Sequence, residues 1–291
     1  MNRKGIILSG GLGTRLFPAT ISISKQIIPV YDKPMIYYSL STLMQADIRE
    51  ILIISSPEHI NFFKKLFNDG AHLGLRIDYM VQEKPEGIAQ SFLIAEDFIA
   101  DSSISLILGD NIFFSSFLDE RLVEISKKDV SSIFAFHVKD PSAFGVVEFD
   151  REFRAIGIEE KPKQPRSNYA VTGLYFYNND VISVAKTLKK SGRGEYEITD
   201  VNKYYLDTGR LEVNILPKGS TWLDTGTPDN LLQASQFVAA LEKREGRKIG
   251  CPEEISLRRK WVNEELLEKY IFDKKGQYFD YLRELIKNGN Y

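Results

Sequence analysis

The sequence predicts an α/β fold: a Rossmann-like, mostly parallel sheet flanked by helices, with a mixed extension and a C-terminal helical appendage. Three observations predict it. Short apolar, β-branched runs alternate with helical segments between Gly5 and Leu108, the order that builds a parallel sheet with helices on both faces. The first run opens directly into a glycine loop, Ser9-Gly10-Gly11-Leu12-Gly13-Thr14-Arg15-Leu16. A later run ends in Leu106-Ile107-Leu108-Gly109-Asp110-Asn111, which puts a carboxylate where open α/β sheets receive ligands.

The elements follow in order. Residues 5–8 form a buried strand. Pro34, a good first-turn residue, precedes a helix over 35–46. A strand over 51–54 is rich in β-branched residues. An amphipathic helix over 60–67 stops near Gly70, and 76–81 alternates as a strand. A helix over 89–98 and a buried strand over 105–108 close this half.

After Asp110 the texture changes. Strands over 132–138, 145–149, 155–159 and 172–177 have few helices between them and extend the sheet. Helices over 180–188 and 198–206, a strand over 211–216 and an amphipathic helix over 230–241 follow, the last with Leu231, Val238 and Leu241 near one face. The charged run Lys243-Arg244-Glu245-Gly246-Arg247-Lys248 breaks the pattern. Two amphipathic helices over 263–270 and 278–286 complete the tail, with Tyr278, Leu282, Leu285 and Ile286 on one side. The organisation is thus a main domain over 1–242 and a helical extension over 243–291 that is too short to fold alone.

Composition narrows the function. The 291 residues carry 38 basic and 40 acidic side chains, a formal net charge of −2. That balance offers no general attraction to nucleic acid or an anionic membrane, so phosphate chemistry must rest on local cations. Cys251 is the only cysteine, which excludes an intrachain disulfide. No run reaches the ~18 apolar residues of a membrane span. The expected location is cytoplasmic.

The glycine loop carries the chemistry. Glycines let backbone N–H groups approach phosphate oxygens, and Arg15 and Lys25 add positive charge to the same pocket. A Walker A loop is absent, because no Gly-Lys-Ser/Thr follows. A dinucleotide fingerprint lacks its third glycine, since Leu16 stands there. Asp110 and the Asp224 of Trp222-Leu223-Asp224-Thr225-Gly226 supply two carboxylates, a set that suits Mg²⁺ beside phosphate oxygens. Taken singly, each acid also reads as a turn residue or helix cap. Gln82 both donates and accepts, as recognition of a pyrimidine edge requires, and Gly87 would permit close approach of a base or ribose. Glu160 and Lys161 pair an acid for hydroxyls with an ammonium for a phosphate, or form a solvated charge run. Gly145 would bring bare backbone to a sugar. The Gly192-Arg193-Gly194 loop has no function readable from spacing. His59, His72 and His137 are scattered and structural.

Together these segments resemble the sugar-1-phosphate nucleotidylyltransferases, and the likeness runs from Lys4 to about Ile286. Residues Leu8 to Leu16 look like that family's signature loop, with Ser24-Lys25-Gln26, Gln82 to Ser91, Leu108 to Asn111, Glu159 to Pro162 and Trp222 to Gly226 in the family's order. The resemblance implies transfer of a thymidylyl group from dTTP to glucose 1-phosphate, giving dTDP-glucose and pyrophosphate at the entry to dTDP-rhamnose synthesis. It implies that Arg15 and Lys25 hold the triphosphate and that Asp110 and Asp224 hold Mg²⁺. Leu8, Gly10, Gly11, Gly13, Thr14, Gln26, Gln82, Pro85 and Gly87 would border the nucleotide. Gly145, Glu160, Lys161, Val171 and Tyr175 would surround the sugar phosphate, and Asn111 would be a further substrate-binding residue.

It further implies a homotetramer with a regulatory dTDP-sugar site near Cys251 and Arg258. Lys218 stands there in place of an expected arginine. A UTP-using relative, a catalytically silent sugar-nucleotide sensor and a Rossmann dehydrogenase are the other readings.

Overall fold

The computed structural model describes residues 3–116, 118–289 and 291. Strand β1 (Arg3–Ser9) leads into the glycine loop and two 3-10 turns, at Thr14–Leu16 and Lys25–Ile27. A small ribbon, β2 (Pro29–Val30) and β3 (Lys33–Pro34), follows. Then come α1 (Ile36–Gln45), β4 (Glu50–Ser55), α2 (Ile60–Phe67) and β5 (Arg76–Val81). Two short helices, α3 (Gln90–Ile94) and α4 (Glu96–Ile99), precede β6 (Ser103–Leu108) and β7 (Asn111–Phe114). Next are α5 (Leu118–Ser126), β8 (Ser131–His137), β9 (Gly145–Phe149), β10 (Ala155–Glu160) and β11 (Tyr169–Tyr177). The chain continues through α6 (Val181–Thr187), α7 (Ile198–Asp207), β12 (Leu211–Ile215), β13 (Thr221–Asp224) and α8 (Pro228–Glu245). It closes with α9 (Pro252–Arg258), α10 (Glu264–Ile271) and α11 (Gln277–Asn288).

Among the described residues, one nine-stranded sheet has β6, β1, β4 and β5 side by side and parallel. The expected mixed extension is β11, antiparallel to both β6 and β8, with β9 and β10 beyond it. Helices bury both faces of the parallel part, which is why β1 and β4 read as unbroken apolar runs rather than alternating ones. The predicted helix over 89–98 is divided at Ala95, whose ψ of 9° interrupts it. Ala89, Phe92, Ala95, Phe98 and Ile99 still face one core. Strands β7 and β13, and helices α5 and α9, did not stand out in the sequence. β7 and β13 are four residues each and pair only with one another, so neither has a local signal.

The capping of α8 follows its residues. Thr227 accepts a hydrogen bond from Asn230 N, Pro228 takes the first turn, and Gly246 ends the helix at φ 67°. The tail then folds back. Ile255, Leu257, Leu267, Ile271, Leu282 and Leu285 share a single core cluster with Ile7, Leu40 and Leu43.

A buried cage of four charges joins this return to the front of the molecule. Lys33 Nζ donates to Asp32 Oδ1 at 2.5 Å and to Glu242 Oε1 at 2.9 Å. Lys248 Nζ donates to Asp32 Oδ2 and to Glu242 Oε2, the latter at 2.9 Å. Ile249 N also donates to Glu242, at 2.9 Å. Burial pushes the Asp32 carboxyl up, but the charges and hydrogen bonds of Lys33 and Lys248 outweigh it and hold the group below its ordinary value.

Removing one member leaves opposite charge buried without its full complement, so Glu242→Ala is expected to cost about 3–5 kcal/mol in denaturant unfolding. The pH dependence has a definite sign. Because Asp32 titrates lower in the folded state, its contribution is complete above pH ~4 and is lost as pH falls below that. Acid unfolding of Asp32→Asn should therefore lack that component of the wild-type curve.

Candidate active site

A cavity of about 690 Å³ opens at the carboxyl ends of β1 and β6 and extends beneath β10 and β11. It gathers Leu8, Gly11, Thr14, Arg15, Lys25, Gln26, Asp110, Asn111, Gly145, Glu160, Lys161, Val171, Tyr175 and Asp224 from the residues singled out in the sequence.

Two carboxylates meet there because the β7–β13 ribbon pairs Asn111 with Asp224. Lys25 Nζ donates to Asp110 Oδ2, and Asn111 Nδ2 donates to Asp110 Oδ1 at 3.0 Å. Burial favours the neutral form of Asp110, yet the charge of Lys25 and the hydrogen bonds from Lys25 and Asn111 prevail and hold its carboxyl below the usual range. Asp224 moves the other way. Burial first, and the Asp110 charge second, raise it, with Lys25 and Arg15 opposing. Two like charges in one pocket call for a cation.

Gly226 serves Arg15. A Cβ at that position would lie 2.4 Å from Arg15 Nη2, so glycine leaves the guanidinium its place beside Asp224. The glycine loop itself is open: nothing lies within 4 Å of where a Cβ would sit on Gly11. Gly13 adopts φ 64° at the start of the 3-10 turn.

The other end suits a polyol phosphate. Glu160 Oε2 accepts from Thr199 Oγ1 at 2.5 Å, and Glu160 Oε1 accepts from Arg193 Nη2 at 3.2 Å. Lys161 Nζ lies 3.8 Å from the same carboxylate. Gly145 leaves space between Thr199, Glu160 and Val171. Burial, then the charges of Glu160 and Asp110, raise the Tyr175 phenol, so it stays a neutral donor.

Several expected residues sit elsewhere. Gly10, Gly13, Gln82, Pro85 and Gly87 do not line this cavity. A Cβ on Gly10 would fall 2.0 Å from Gln82 Oε1, so that glycine accommodates the buried glutamine. Gln82 Nε2 in turn donates to Gln90 Oε1 at 2.7 Å. Gly87, at φ 107°, faces the Tyr196 backbone, whose carbonyl would be 2.4 Å from a Cβ. The Tyr196 backbone by itself therefore requires glycine at this position.

The three regulatory candidates do not line a common cavity. Cys251 is buried, with its Sγ 3.3 Å from the Tyr278 hydroxyl. Arg258 pairs with Asp119 at 2.6 Å. Lys218 is exposed on the turn after β12.

The sequence left Phe144, Gly173, Thr199 and Trp222 without roles, although all line the cavity. Trp222 lay inside a quoted motif. Its indole N–H donates to Asn111 Oδ1 at 2.6 Å, and the same oxygen accepts from Gly173 N at 3.0 Å.

Residues 4–240 match the family model described as nucleotidyl transferase. The chain belongs to that family. It is 52% identical over 285 residues to a glucose-1-phosphate thymidylyltransferase of Mycobacterium tuberculosis, covering 98% of this chain and 99% of the relative. It is 50% identical to the enzyme of that name from Neisseria meningitidis, over 98% of this chain and 99% of the relative.

A Bacillus anthracis structure described as a glucose-1-phosphate thymidylyltransferase with a sucrose superposes with a TM-score of 0.74 at 41% identity. It covers 81% of this chain and 94% of that one. A UDP-glucose pyrophosphorylase structure complexed with UDP-glucose superposes at 0.73 with 24% identity, covers 84% of this chain and 100% of that one, and shares the fold. Family membership makes the chain a nucleotidyltransferase and removes the dehydrogenase reading.

Two glycine substitutions separate site from scaffold. Gly226→Ala is expected to displace the flexible end of Arg15, lowering turnover while the melting temperature stays near wild type. Gly87→Ala meets rigid backbone at a positive φ and should cost about 1–3 kcal/mol of stability or more. Thermal unfolding and steady-state rates on both variants check the contrast.

Proposed function

We propose that this chain transfers the thymidylyl group of dTTP to α-D-glucose 1-phosphate, giving dTDP-glucose and pyrophosphate, the first step of dTDP-rhamnose synthesis. One observation carries the reading. A single cavity holds Arg15, Lys25 and two carboxylates at one end and Gly145, Glu160 and Lys161 at the other, in a chain related over its whole length to proteins of that name.

A phosphate oxygen of the sugar phosphate attacks the α-phosphorus of dTTP. The new P–O bond forms as the bond to pyrophosphate breaks, and the electron pair leaves with pyrophosphate. The nucleophile is already an anion, so no protein base is required. Arg15 and Lys25 bind and neutralise the triphosphate and offset charge developing on the leaving group. Lys161 takes the phosphate of the sugar, and Glu160, held by Thr199 and Arg193, accepts its hydroxyls. Gln26, which lines the cavity, supplies an amide for the base, and Gln82, buried under Gly10 and bonded to Gln90, backs the glycine loop. The protein's contribution is orientation and charge balance.

The residues fit the expected Mg²⁺. Asp110 and Asp224 are hard oxygen donors in one cavity, and among the described residues only Gly226 N, at 3.2 Å, hydrogen-bonds the Asp224 carboxylate. Bound there, Mg²⁺ would supply positive charge to the phosphate oxygens.

Assembly as a homotetramer, regulation by a dTDP-sugar and a cytoplasmic location belong to the same proposal. The second site rests on the resemblance of the tail segment around Cys251 and Arg258, since the cleft of about 140 Å³ between the tail and β7 is lined by neither residue. Among the described residues no helix is long and apolar enough to cross a membrane.

Pyrophosphate release across four nucleotides and three hexose 1-phosphates tests the reading: dTTP with glucose 1-phosphate should give the highest kcat/KM, and preference for UTP would reassign the enzyme. Arg15→Ala should lower kcat on the order of 10²–10³, as loss of one charge-stabilising donor does. Asp110→Asn and Asp224→Asn should each remove nearly all turnover. Wild-type rates at limiting Mg²⁺ in both would refute the two-acid site. Arg258→Ala should relieve inhibition by added dTDP-rhamnose and leave catalysis intact. Unchanged inhibition would leave competition at the active site as its cause.

A further inference from the structure

The carboxylates of Asp110 and Asp224 come from distant parts of the chain and repel one another in a buried pocket. Their backbones must be held at a working separation against that repulsion. The β7–β13 ladder does so up to its last rung, where Asp224 faces Asn111. One residue carries the contact further. Thr225 is fully buried. Its backbone N–H donates to the Asp110 carbonyl at 3.2 Å, and its hydroxyl donates to the same oxygen at 2.8 Å. The hydroxyl oxygen also lies 3.0 Å from Met35 Sδ, itself buried. A carbonyl oxygen has two lone pairs, and Thr225 alone fills both. On one side of it stands Asp224; on the other, Gly226 donates to Asp224 Oδ1 and leaves room for Arg15.

We propose that Thr225 is a positioning residue, whose hydroxyl bond to the Asp110 carbonyl holds Asp224, and through Gly226 the Arg15 guanidinium, at a fixed offset from Asp110. The inference rests on the reading that both carboxylates act on one phosphate-bound cation. A buried β-branched residue is equally served by valine in shape and volume. The hydroxyl is what distinguishes threonine here, and of its two contacts the shorter, at 2.8 Å, is to the Asp110 carbonyl, while the other is to the weak acceptor Met35 Sδ at 3.0 Å. A positioning role therefore predicts that oxygen, not shape, decides activity.

Thr225→Val and Thr225→Ser in the full chain test this. Pyrophosphate release would be followed at saturating dTTP and glucose 1-phosphate. Separately and without turnover, Mn²⁺ binding in the presence of dTTP alone would be followed by water-proton relaxation. Thr225→Val is expected to lose about 10–100-fold in kcat and in Mn²⁺ affinity, the range for partners that orient metal-binding groups. KM for glucose 1-phosphate should hardly move. Thr225→Ser, which keeps the hydroxyl, should recover most of both. If Thr225→Val does not fold, Thr225→Ala carries the same expectation without a methyl against the carbonyl.

Wild-type kcat and Mn²⁺ affinity in the valine variant would overturn the proposal. So would equal losses in valine and serine, or an effect confined to the melting temperature. If the wild-type chain released no pyrophosphate from this substrate pair while Mn²⁺ affinity still followed the hydroxyl, the proposed activity would fall and the positioning role would stand.

Discussion

Two carboxylates brought into one cavity are the constraint on which this structure turns. Left alone, Asp110 and Asp224 would drive each other toward the neutral form. The fold answers with Lys25 on Asp110, with Arg15 in the space Gly226 leaves, and with a ribbon that fixes the two backbones. The opposed titration of the pair follows from this asymmetry. The ammonium sits on Asp110, whereas Asp224 has only more distant cations and one backbone N–H. Such a site is charged in advance for a polyphosphate, because the cations need only be shared with incoming oxygens rather than assembled around them.

The same economy of placement governs the Glu160 end of the cavity. Glu160 is anchored by Thr199 and Arg193, so its carboxylate is oriented before any hydroxyl arrives. Asn111 ties the two ends. Its amide reaches Asp110, the Trp222 indole and the Gly173 N–H together. Gly173 falls in the register irregularity of β11 between Val171 and Tyr175, and the asparagine oxygen satisfies the N–H there. The side chains on either side of that irregularity both line the cavity.

Behind the site, the Asp32–Lys33–Glu242–Lys248 cage connects the β2–β3 ribbon to α8 and to the start of the tail. The ribbon follows directly on the 3-10 turn that carries Lys25. The tail is therefore not only packed against α1 but linked by charge to the segment that carries Lys25 into the cavity.

Much of this was legible from residues alone. The apolar period and the β-branched runs determined the parallel strands and most helices, because backbone propensity and one-sided burial are local properties. The glycine loop and its cations, and the Glu160–Lys161 pair, could be placed in one site because each follows a strand and strands end on one rim. What only the tertiary structure decided were contacts between distant segments. The β7–β13 ribbon has no periodicity of its own. Trp222 gains its role only through Asn111. Gly87 and Gly10 are held to glycine by the Tyr196 backbone and the Gln82 side chain. A missing Cβ tells that something approaches closely; which atom approaches depends on chain packing, and no local pattern encodes it.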